Sequence, residues 1–263
     1  MGDRRSYAPV RTESSPEKWG LMKKPLVSSA FLVIIGLVLF STALATAAPA
    51  RTCTATNGRS CSFGHWIVYN NSWGPTPGKY VIHAHSQGNW SVTAHQNGGG
   101  GCGGCAVEVY ESAQWNYRNV RFSSIKYLSS SFSETMPTGS LRKNGFDAEA
   151  TYDMFINGSD TDEVMVWVDN QGQTPAGSRH GVAEIGGQKF RVWVAGRTKE
   201  LVLTKNETSG TINYLAVLSW LHRHHMLASA DTLSQFNFGW EICDTDGLSK
   251  TFTVHSLTLH QKL

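Results

Sequence analysis

Residues 162–169, Asp-Glu-Val-Met-Val-Trp-Val-Asp (DEVMVWVD), alternate between two kinds of side chain. In a β-strand, successive side chains point to opposite faces of the sheet. The three valines would therefore share one face, which suits a hydrophobic core. The other face would carry a carboxylate, a thioether and an indole, from Glu163, Met165 and Trp167. This combination is typical neither of a core nor of an ordinary solvent-facing surface, so the stretch predicts a strand whose second face has a function.

Two other segments show the same division. In residues 235–243 (QFNFGWEIC), the even-numbered positions are all apolar, and Glu241 lies on the opposite face beside small and polar residues. Residues 150–157 (ATYDMFIN) likewise turn Asp153 away from the apolar side of their strand. The alternation predicts three carboxylates on the outer face of a sheet whose inner face is strongly hydrophobic.

Carboxylates among aromatic side chains suggest carbohydrate cleavage, if the outer face of the sheet curves into a cleft. A glycosidic bond needs one protonated carboxyl group for the leaving oxygen and one ionised carboxylate on the other side of the sugar ring. Asp153 would hydrogen-bond Glu163 and help to separate the pKa values of Glu163 and Glu241. The pattern alone leaves a second interpretation open, in which these acids are solvated on an exposed sheet face.

The remaining sequence predicts an all-β fold. The chain has 263 residues, 26 of them glycine, and about eleven short segments with strand character alternate with turn-rich loops, which favours a two-sheet β-jelly-roll sandwich. One helix is predicted over 211–226, with an apolar stripe at Ile212, Leu215, Leu218 and Leu221. The predicted strands are 63–70, 80–85, 107–111, 120–128, 147–157, 163–169, 181–185, 189–195, 199–204, 235–243 and 251–260.

The N-terminal 50 residues form a separate region. A polar segment, 1–24, precedes an apolar stretch from about 26 to 45 and the small-residue zone ATAAPA. This order predicts a cytoplasmic tail followed by an export signal, or a membrane anchor if the segment is not cleaved. Residues 51–263 would form one domain outside the cytoplasm. The net charge of +3 and the lack of a basic run in that domain argue against a nucleic-acid partner.

Outside the cytoplasm, the five cysteines of this domain can form disulfides. Cys53 with Cys61, and Cys102 with Cys105, have the spacing of small-loop disulfides, which would leave Cys243 over. Cys102-Gly-Gly-Cys105 also has the C-x-x-C spacing of a metal or redox site. A zinc site would need further ligands, and the sequence has no second C-x-x-C motif, so the disulfide is the preferred interpretation.

Other ionisable residues have simpler interpretations. Three histidines at the end of the predicted helix would bond its terminal carbonyl groups rather than a metal ion: His222, His224 and His225. Four glutamates are predicted to be ordinary solvated acids: Glu108, Glu111, Glu149 and Glu184.

Several motifs, in order, resemble glycoside hydrolase family 12, the small β-jelly-roll endoglucanases and xyloglucanases. The resemblance runs from about residue 62 to 260 and implies a concanavalin A-like sandwich with one α-helix and a concave substrate cleft. Its motifs are WIVYNNSWG (66–74), VEVYESAQ (107–114), YDMFI (152–156), EVMVW (163–167), GVAEIGGQKF (181–190) and FGWE (238–241).

The resemblance implies a retaining mechanism with Glu163 as nucleophile, Glu241 as acid/base and Asp153 as the residue that holds the nucleophile. It implies a monomer that acts on a β-glucan, with no cofactor or metal. Ile242 and Cys243 depart from the proline and the aromatic residue that the family usually has there. The implied substrate contacts are Asn71, Trp73, Tyr110, Met165, Trp167 and Pro175.

Two classes of function therefore follow from the sequence. The first is a secreted endo-acting β-1,4-glucan hydrolase, acting on cellulose-type glucan, mixed-linkage glucan or xyloglucan. The second is a glucan-binding jelly roll that keeps the cleft with little or no turnover. A matched acid and nucleophile favour the first, since a pure binding protein does not need them. Transglycosylation, in which a sugar replaces water as acceptor, would use the same residues.

Overall fold

Fifteen β-strands and one α-helix make up the described part of the chain. A computed structural model describes residues 52–73, 78–97, 107–139 and 145–263, except for the side chains of 159–161. The helix, α1, is Tyr214–Arg223, and a short 3-10 turn spans Phe122–Ser124. The strands are β1 (Cys53–Thr56), β2 (Ser60–Phe63), β3 (Trp66–Tyr69), β4 (Lys79–Ser86), β5 (Asn89–His95), β6 (Tyr110–Arg121), β7 (Tyr127–Thr135), β8 (Phe146–Ile156), β9 (Ser159–Gln171), β10 (Ser178–Ile185), β11 (Gln188–Ala195), β12 (Thr198–Leu203), β13 (Ser209–Asn213), β14 (Thr232–Thr245) and β15 (Lys250–Lys262).

The strands form two sheets. Six of them pair in the order β1-β4-β5-β15-β7-β13, and nine pair in the order β10-β11-β12-β9-β8-β14-β6-β3-β2. Strands β9 and β12 run parallel to each other, whereas β9 pairs antiparallel with β8 and β12 pairs antiparallel with β11. The three segments with outward-facing carboxylates become β9, β8 and β14, which are adjacent at the centre of the nine-stranded sheet.

Large aromatic side chains fill the space between the two sheets. Trp90 of the six-stranded sheet and Trp240 of the nine-stranded sheet meet edge to face with ring centroids 5.1 Å apart, and Phe132 meets Phe238 at 5.5 Å. The four apolar residues of 236–242 have 0% exposure. Such pairs combine apolar burial with a favourable aromatic geometry. The predicted two-sheet sandwich and its inner face are confirmed.

The helix is shorter than the sequence indicates. Asn213 ends β13 and caps α1, its Oδ1 accepting a hydrogen bond of 3.0 Å from the Ala216 amide, as expected of an N-cap asparagine. Ile212 is therefore a buried strand residue, and Leu215 is only partly buried. The predicted stripe is wrong at Ile212, whereas Leu215 packs against the core from the helix. The face that packs on the protein comprises Tyr214, Val217, Leu218 and Leu221.

Some strands are longer or more numerous than predicted. Strands β1, β2 and β5 have no counterpart among the predicted strands, apart from Phe63 at the end of β2. Strand β6 runs unbroken through a stretch that was divided between the predicted strands 107–111 and 120–128. Its sequence, YESAQWNYRNVR, has polar residues on both faces, so it lacks the alternation that marks a strand with one buried face.

One predicted disulfide is confirmed and one prediction about cysteine is wrong. Cys53 and Cys61 are bonded and tie β1 to β2. Cys243, predicted to be left over, is buried and disulfide-bonded. The predicted Cys102–Cys105 pair lies outside the described residues, as does the N-terminal export or anchor segment. Among the helices of residues 52–263 that the structure describes, none has the length and apolar character needed to cross a bilayer.

Candidate active site

The register of the central strands brings the predicted carboxylates to one cleft. Antiparallel pairing sets Glu163 of β9 opposite Phe155 of β8, with Asp153 two residues away on the same face. On the other side of β8, Glu241 of β14 lies between Glu149 and Tyr110. The cleft has a volume of about 490 Å³ and is lined by Asn71, Trp73, Tyr110, Asp153, Phe155, Glu163 and Glu241.

Asp153 is arranged to hold Glu163. Its carboxyl group is buried, and burial, followed by the nearby charges of Glu163 and Glu241, raises the pKa of Asp153 well above its usual range. Thr151 Oγ1 donates a hydrogen bond of 3.0 Å to Asp153 Oδ1. Protonated Asp153 donates in turn to the Glu163 carboxylate. Because this bond favours the ionised form of Glu163, it suits a nucleophile.

Glu241 has the environment of a proton donor. Burial raises the pKa of Glu241 above its usual range, and a contact with Glu149 opposes that effect. Glu163 and Glu241 both keep partial exposure to the cleft, as a group that must touch a substrate requires. The two glutamates thus lie in one cleft with different partners, which is the condition for separate acid and nucleophile roles.

Tyr110 lies among all three carboxylates. Its hydroxyl group donates a hydrogen bond of 3.1 Å to the carbonyl oxygen of Thr151. Burial, and then the charges of Asp153, Glu241 and Glu163, raise the pKa of Tyr110 well above its usual range. Tyr110 therefore lines the cleft as an uncharged side chain, and its hydroxyl proton is used in a hydrogen bond to the backbone.

Backbone pairing fixes the segment that carries Asn71 and Trp73. The Tyr110 amide donates to the Asn71 carbonyl at 2.9 Å, and the Trp73 amide donates to the Glu108 carbonyl at 3.0 Å. Trp73 is 53% exposed, an unusual state for an indole, and it presents an apolar ring at the cleft. Exposed aromatic surface of this kind marks interaction sites.

Glu111 supports this segment from below, and the prediction that it is solvated is wrong. It is fully buried, and its Oε2 accepts a hydrogen bond of 3.1 Å from the Asn71 amide. Burial raises the pKa of Glu111 to about 8, against the effect of the Asn71 amide and the Ser72 hydroxyl. Sequence alternation could not show this, because the burial depends on the 71–73 segment folding over β6.

Met165 and Trp167 face the same side of the sheet as Glu163 but contribute little surface. Each is 4% exposed, and both pack with Val202 and Trp193 in a small hydrophobic cluster. They do not line the cleft cavity. Pro175, the sixth implied contact, is partly buried in the loop between β9 and β10. The structure thus brings Asn71, Trp73 and Tyr110 to the three carboxylates. Met165 is directly opposite Asp153 across β8 and β9, but Met165, Trp167 and Pro175 are not among the residues that line the cavity, and their contact with substrate stays a prediction.

Two acids near Glu241 were not recognised as part of the site from the sequence. Glu149, predicted to be solvated, is fully buried beside Glu241. Both carboxylate oxygens of Glu200, on β12, accept the Ala176 amide at 3.1 Å and so anchor the loop that carries Pro175. Burial raises the pKa of Glu200 to about 7. Glu108 is partly buried, and Glu184 is exposed as predicted.

The histidines at the end of α1 bond carbonyl groups. His224 Nδ1 lies 2.8 Å from the Trp220 carbonyl oxygen, and His222 Nδ1 lies 3.1 Å from that of Leu227. The predicted capping role is therefore confirmed for His224, whereas His222 contacts a carbonyl group beyond the end of the helix. Within the described ranges, no three His, Cys, Asp or Glu side chains are grouped so as to hold a metal ion.

Solved structures of similar shape include family 12 glycoside hydrolases. The xyloglucanase domain of NopAA, a type three effector from Sinorhizobium fredii solved with cellobiose, has a TM-score of 0.69 at 21% identity, covering 80% of this chain and 99% of its own. This chain shares its fold with the family 12 glycoside hydrolases. The Trichoderma harzianum endoglucanase 3 matches with a TM-score of 0.68 at 22% identity, covering 82% of this chain and 100% of its own. The Bacillus licheniformis family 12 xyloglucanase gives 0.66 at 17% identity, with 80% and 100% coverage.

Sequence comparison alone does not reach this result. No protein-family model matches the chain, and no curated protein matches it. At 17 to 22% identity the structural similarity establishes the fold, and the chemistry has to be argued from the residues of the cleft.

Proposed function

We propose that this protein is an endo-acting β-1,4-glucan hydrolase that works by a retaining double displacement. The observation that carries the proposal is the meeting of Glu163, Glu241 and Asp153 in one cleft of a glucanase-type fold. A glycosidase needs two carboxyl groups in different protonation states. Asp153 favours the ionised state of Glu163, and burial favours the protonated state of Glu241.

These states assign the roles. In the first step, the Glu163 carboxylate attacks the anomeric carbon while Glu241 gives its proton to the departing glycosidic oxygen. The sugar is then bonded to Glu163, and Glu241 is ionised. In the second step, Glu241 takes a proton from water, whose oxygen attacks the anomeric carbon and releases Glu163. Asp153 keeps its proton throughout and holds the Glu163 carboxylate in position.

The cleft suits a β-glucan. A pyranose ring has an apolar C–H face that packs on an aromatic ring, and Trp73 offers such a surface next to the carboxylates. The similar enzymes are described as xyloglucanases or endoglucanases, and one was solved with cellobiose. We extend this substrate class to the present chain: cellulose-type glucan, mixed-linkage glucan or xyloglucan. The Cys53–Cys61 disulfide supports secretion, since disulfides persist in oxidising compartments.

The test is reducing-end release by the purified full chain on β-glucan, carboxymethylcellulose, xyloglucan and xylan. Glu163→Gln removes the nucleophile while preserving shape. Glu184→Gln, an exposed change on β10, is the matched control. We expect activity on at least one β-1,4-glucan, a loss of about 10⁴-fold or more in Glu163→Gln, and full activity in Glu184→Gln.

The alternatives have distinct results. Glucan binding without release of reducing ends by the wild type would replace the proposal with a binding protein. Formation of longer oligosaccharides from short ones, in place of hydrolysis, would make it a transglycosylase. Equal activity of wild type and Glu163→Gln would remove Glu163 from the mechanism.

A further inference from the structure

Glu149 is a buried carboxyl group that the proposed reaction does not use. It lies on β8 directly opposite Glu241 of β14, and its exposure is 0%. Residues directly opposite in an antiparallel pair project from the same face, with Cβ atoms about 4.5 to 5.5 Å apart. The acid/base and a second glutamate are therefore side by side in the floor of the cleft.

No cation faces Glu149 among the described residues. The charged groups that act on it come from β14, β8 and β12, and all are acidic: Glu241, Asp153 and Glu200. Two ionised carboxylates in one buried site repel each other strongly, so one of them keeps a proton. The acidic surroundings make Glu149 the group that stays protonated.

The neighbour of Glu149 on its other side is not available as a partner. Asn170 of β9 is opposite Glu149, but the side-chain amide of Asn170 is hydrogen-bonded within the turn that follows β9. Asn170 Nδ2 donates to the Gln173 carbonyl at 2.9 Å, and Asn170 Oδ1 accepts the Gln173 amide at 3.0 Å. The carboxyl group of Glu241 is thus the acceptor within reach of a Glu149 O–H.

The two carboxyl groups are each other's hydrogen-bond partners. No other group in the described part of the chain forms a hydrogen bond with either oxygen of Glu149, and Glu241 is the residue with which it makes a side-chain hydrogen bond. A buried polar group rarely lacks a partner, so the Glu149–Glu241 contact accounts for the burial of Glu149. Catalytic hydrogen bonds shorten when charge develops, which here would occur when Glu241 becomes ionised.

The direction of the electrostatic effects agrees with this picture. Burial, and then the charge of Glu241, raise the pKa of Glu149 well above its usual range. A hydrogen bond from Glu149 lowers the pKa of Glu241, against the effect of burial. A donor favours the charged form of its acceptor, so Glu149 makes its neighbour a stronger acid than burial alone would allow.

We propose that Glu149 is a positioning residue that stays protonated and donates its O–H to the Glu241 carboxylate whenever Glu241 has released its proton. The inference rests on the proposed function, because it concerns the acid/base of that reaction. In the first step the Glu241 O–H bond breaks, the proton goes to the glycosidic oxygen, and the new carboxylate accepts the Glu149 O–H. In the second step Glu241 takes a proton from water and the contact loosens. Glu149 exchanges no proton with substrate.

This role predicts which substitution alters the pH profile. The high-pH limb of kcat/KM reports loss of the proton from the acid. Glu149→Met removes the donor but keeps an unbranched side chain, so Glu241 becomes harder to ionise. A hydrogen bond to a charged group is worth enough to move that limb upward by about one to two pH units. Glu149→Gln keeps a neutral N–H donor at the same place, so its limb stays near that of the wild type.

The experiment is the pH profile of kcat/KM on the best β-glucan for the full-chain wild type, Glu149→Met and Glu149→Gln. Glu134→Met is the matched control: Glu134 is buried, its carboxyl group contacts the Trp240 side chain, and it lies in the core rather than in the cleft. We expect an upward shift in Glu149→Met alone. A lower limb in Glu149→Gln would show that Glu149 is ionised during turnover and would overturn the inference, as would identical limbs in all four proteins.

A measurement on the wild type keeps the inference testable if the variants do not fold or if no glucan is hydrolysed. Titration of the chain labelled with ¹³Cδ-glutamate follows each carboxyl group directly. We expect Glu149 to stay protonated above pH 7, as Glu111 and Glu134 also do. Of these three signals, only that of Glu149 should respond when Glu241 ionises, a response that is lost in Glu241→Gln. An ionised Glu149 at pH 7 would refute the inference that Glu149 donates a hydrogen bond to Glu241. An inactive wild type with the expected titration would refute only the proposed function.

Discussion

In both sheets, strand alternation turns every second side chain away from the core. The two outer faces that result carry different chemical groups. The cleft face of the nine-stranded sheet holds Glu149, Asp153 and Glu200, all buried. The six strands of the other sheet contain a single acid, Glu134, and it points into the core. Their outer face consists mostly of hydroxyl and imidazole groups.

Side chains on the second face pair with each other at the surface. Thr93 and Thr251 lie 3.0 Å apart, as neighbours across β5 and β15, and Ser131 lies 2.8 Å from Thr211. These hydroxyl groups also reach water, so little depends on any one pair. On the cleft face, carboxyl groups removed from water depend on one another for protons and hydrogen bonds. Strand alternation determines which side chains point away from the core. The concave shape of the cleft face determines which of them lose contact with water and become reactive.

Among substitutions on the two faces, a change at Glu241 should have the largest effect on kcat/KM. Glu241→Gln removes the general acid, and we expect kcat/KM on a natural glucan to fall by about 10² to 10⁴-fold. An aryl cellobioside with a good leaving group does not need protonation, so its bond cleavage should be affected far less. Steady-state and burst kinetics on the two substrates measure this. An equal loss on both would contradict the assignment of Glu241 as the acid.

The buried acids should also make stability depend on pH. Burial raises the pKa of Glu134 to about 8, whereas an unfolded glutamate titrates near 4.3. Between these values the folded chain binds the extra proton, so the stabilising contribution is complete below about pH 4 and is lost as pH rises to about 8, with a slope of about 1.4 kcal/mol per pH unit.

Urea unfolding at pH 5 and pH 8 checks this prediction. We expect the wild type to be more stable at pH 5, and Glu134→Gln to reduce the difference. Glu184→Gln, a change at an exposed position, should leave the difference unaltered. A pH dependence that is the same in the wild type and in Glu134→Gln would show that Glu134 is not protonated in the folded protein.

A smaller effect, on KM, is expected for one of two exposed aromatic residues that lie on different faces. Trp73 at the cleft is 53% exposed, and Tyr127 on the six-stranded sheet is 49% exposed. If Trp73 packs on a sugar ring, Trp73→Ala should cost about 1.5 kcal/mol of substrate binding, roughly tenfold in KM. Tyr127→Ala should leave KM unchanged. Equal KM values for the two variants would place the sugar away from Trp73.

The smallest effect is expected on the hydroxyl face itself. Thr251→Val removes the bond to Thr93 but keeps the β-branched shape that suits a strand. We expect the free energy of unfolding to change by no more than about 0.5 kcal/mol and kcat/KM to stay the same. Thermal unfolding and the glucan assay measure both. A loss of several kcal/mol would mean that this face is as interdependent as the cleft face.

Strand alternation predicted the parts of the fold that depend on local sequence. It separated the core side of 236–242 from the side that carries Glu241, and it turned Glu163 and Asp153 to one face. It could not predict β6, where both faces are polar, or the first residue of α1, which Asn213 sets by capping. Strand alternation succeeds where apolar and polar residues occupy different faces, and it fails where the local sequence does not distinguish the two faces.

The buried acids escaped prediction because their environment comes from distant segments. Glu149 meets Glu241 through the register of β8 against β14, which joins residues 92 positions apart. Glu111 is buried because the 71–73 segment folds over it. Register and loop packing are properties of the assembled sheet, so a glutamate on a strand gives no local sign that it will lose contact with water.

The most direct test of the account is covalent trapping of the nucleophile. A 2-deoxy-2-fluoro-β-cellotriosyl fluoride slows release of the glycosyl-enzyme and leaves the sugar on the attacking residue. The wild type that hydrolyses glucan should carry one sugar label per chain, and fragmentation mass spectrometry should place it on Glu163. A label on Glu241 or Asp153, or an active enzyme that acquires no label, would contradict the retaining mechanism with Glu163 as nucleophile.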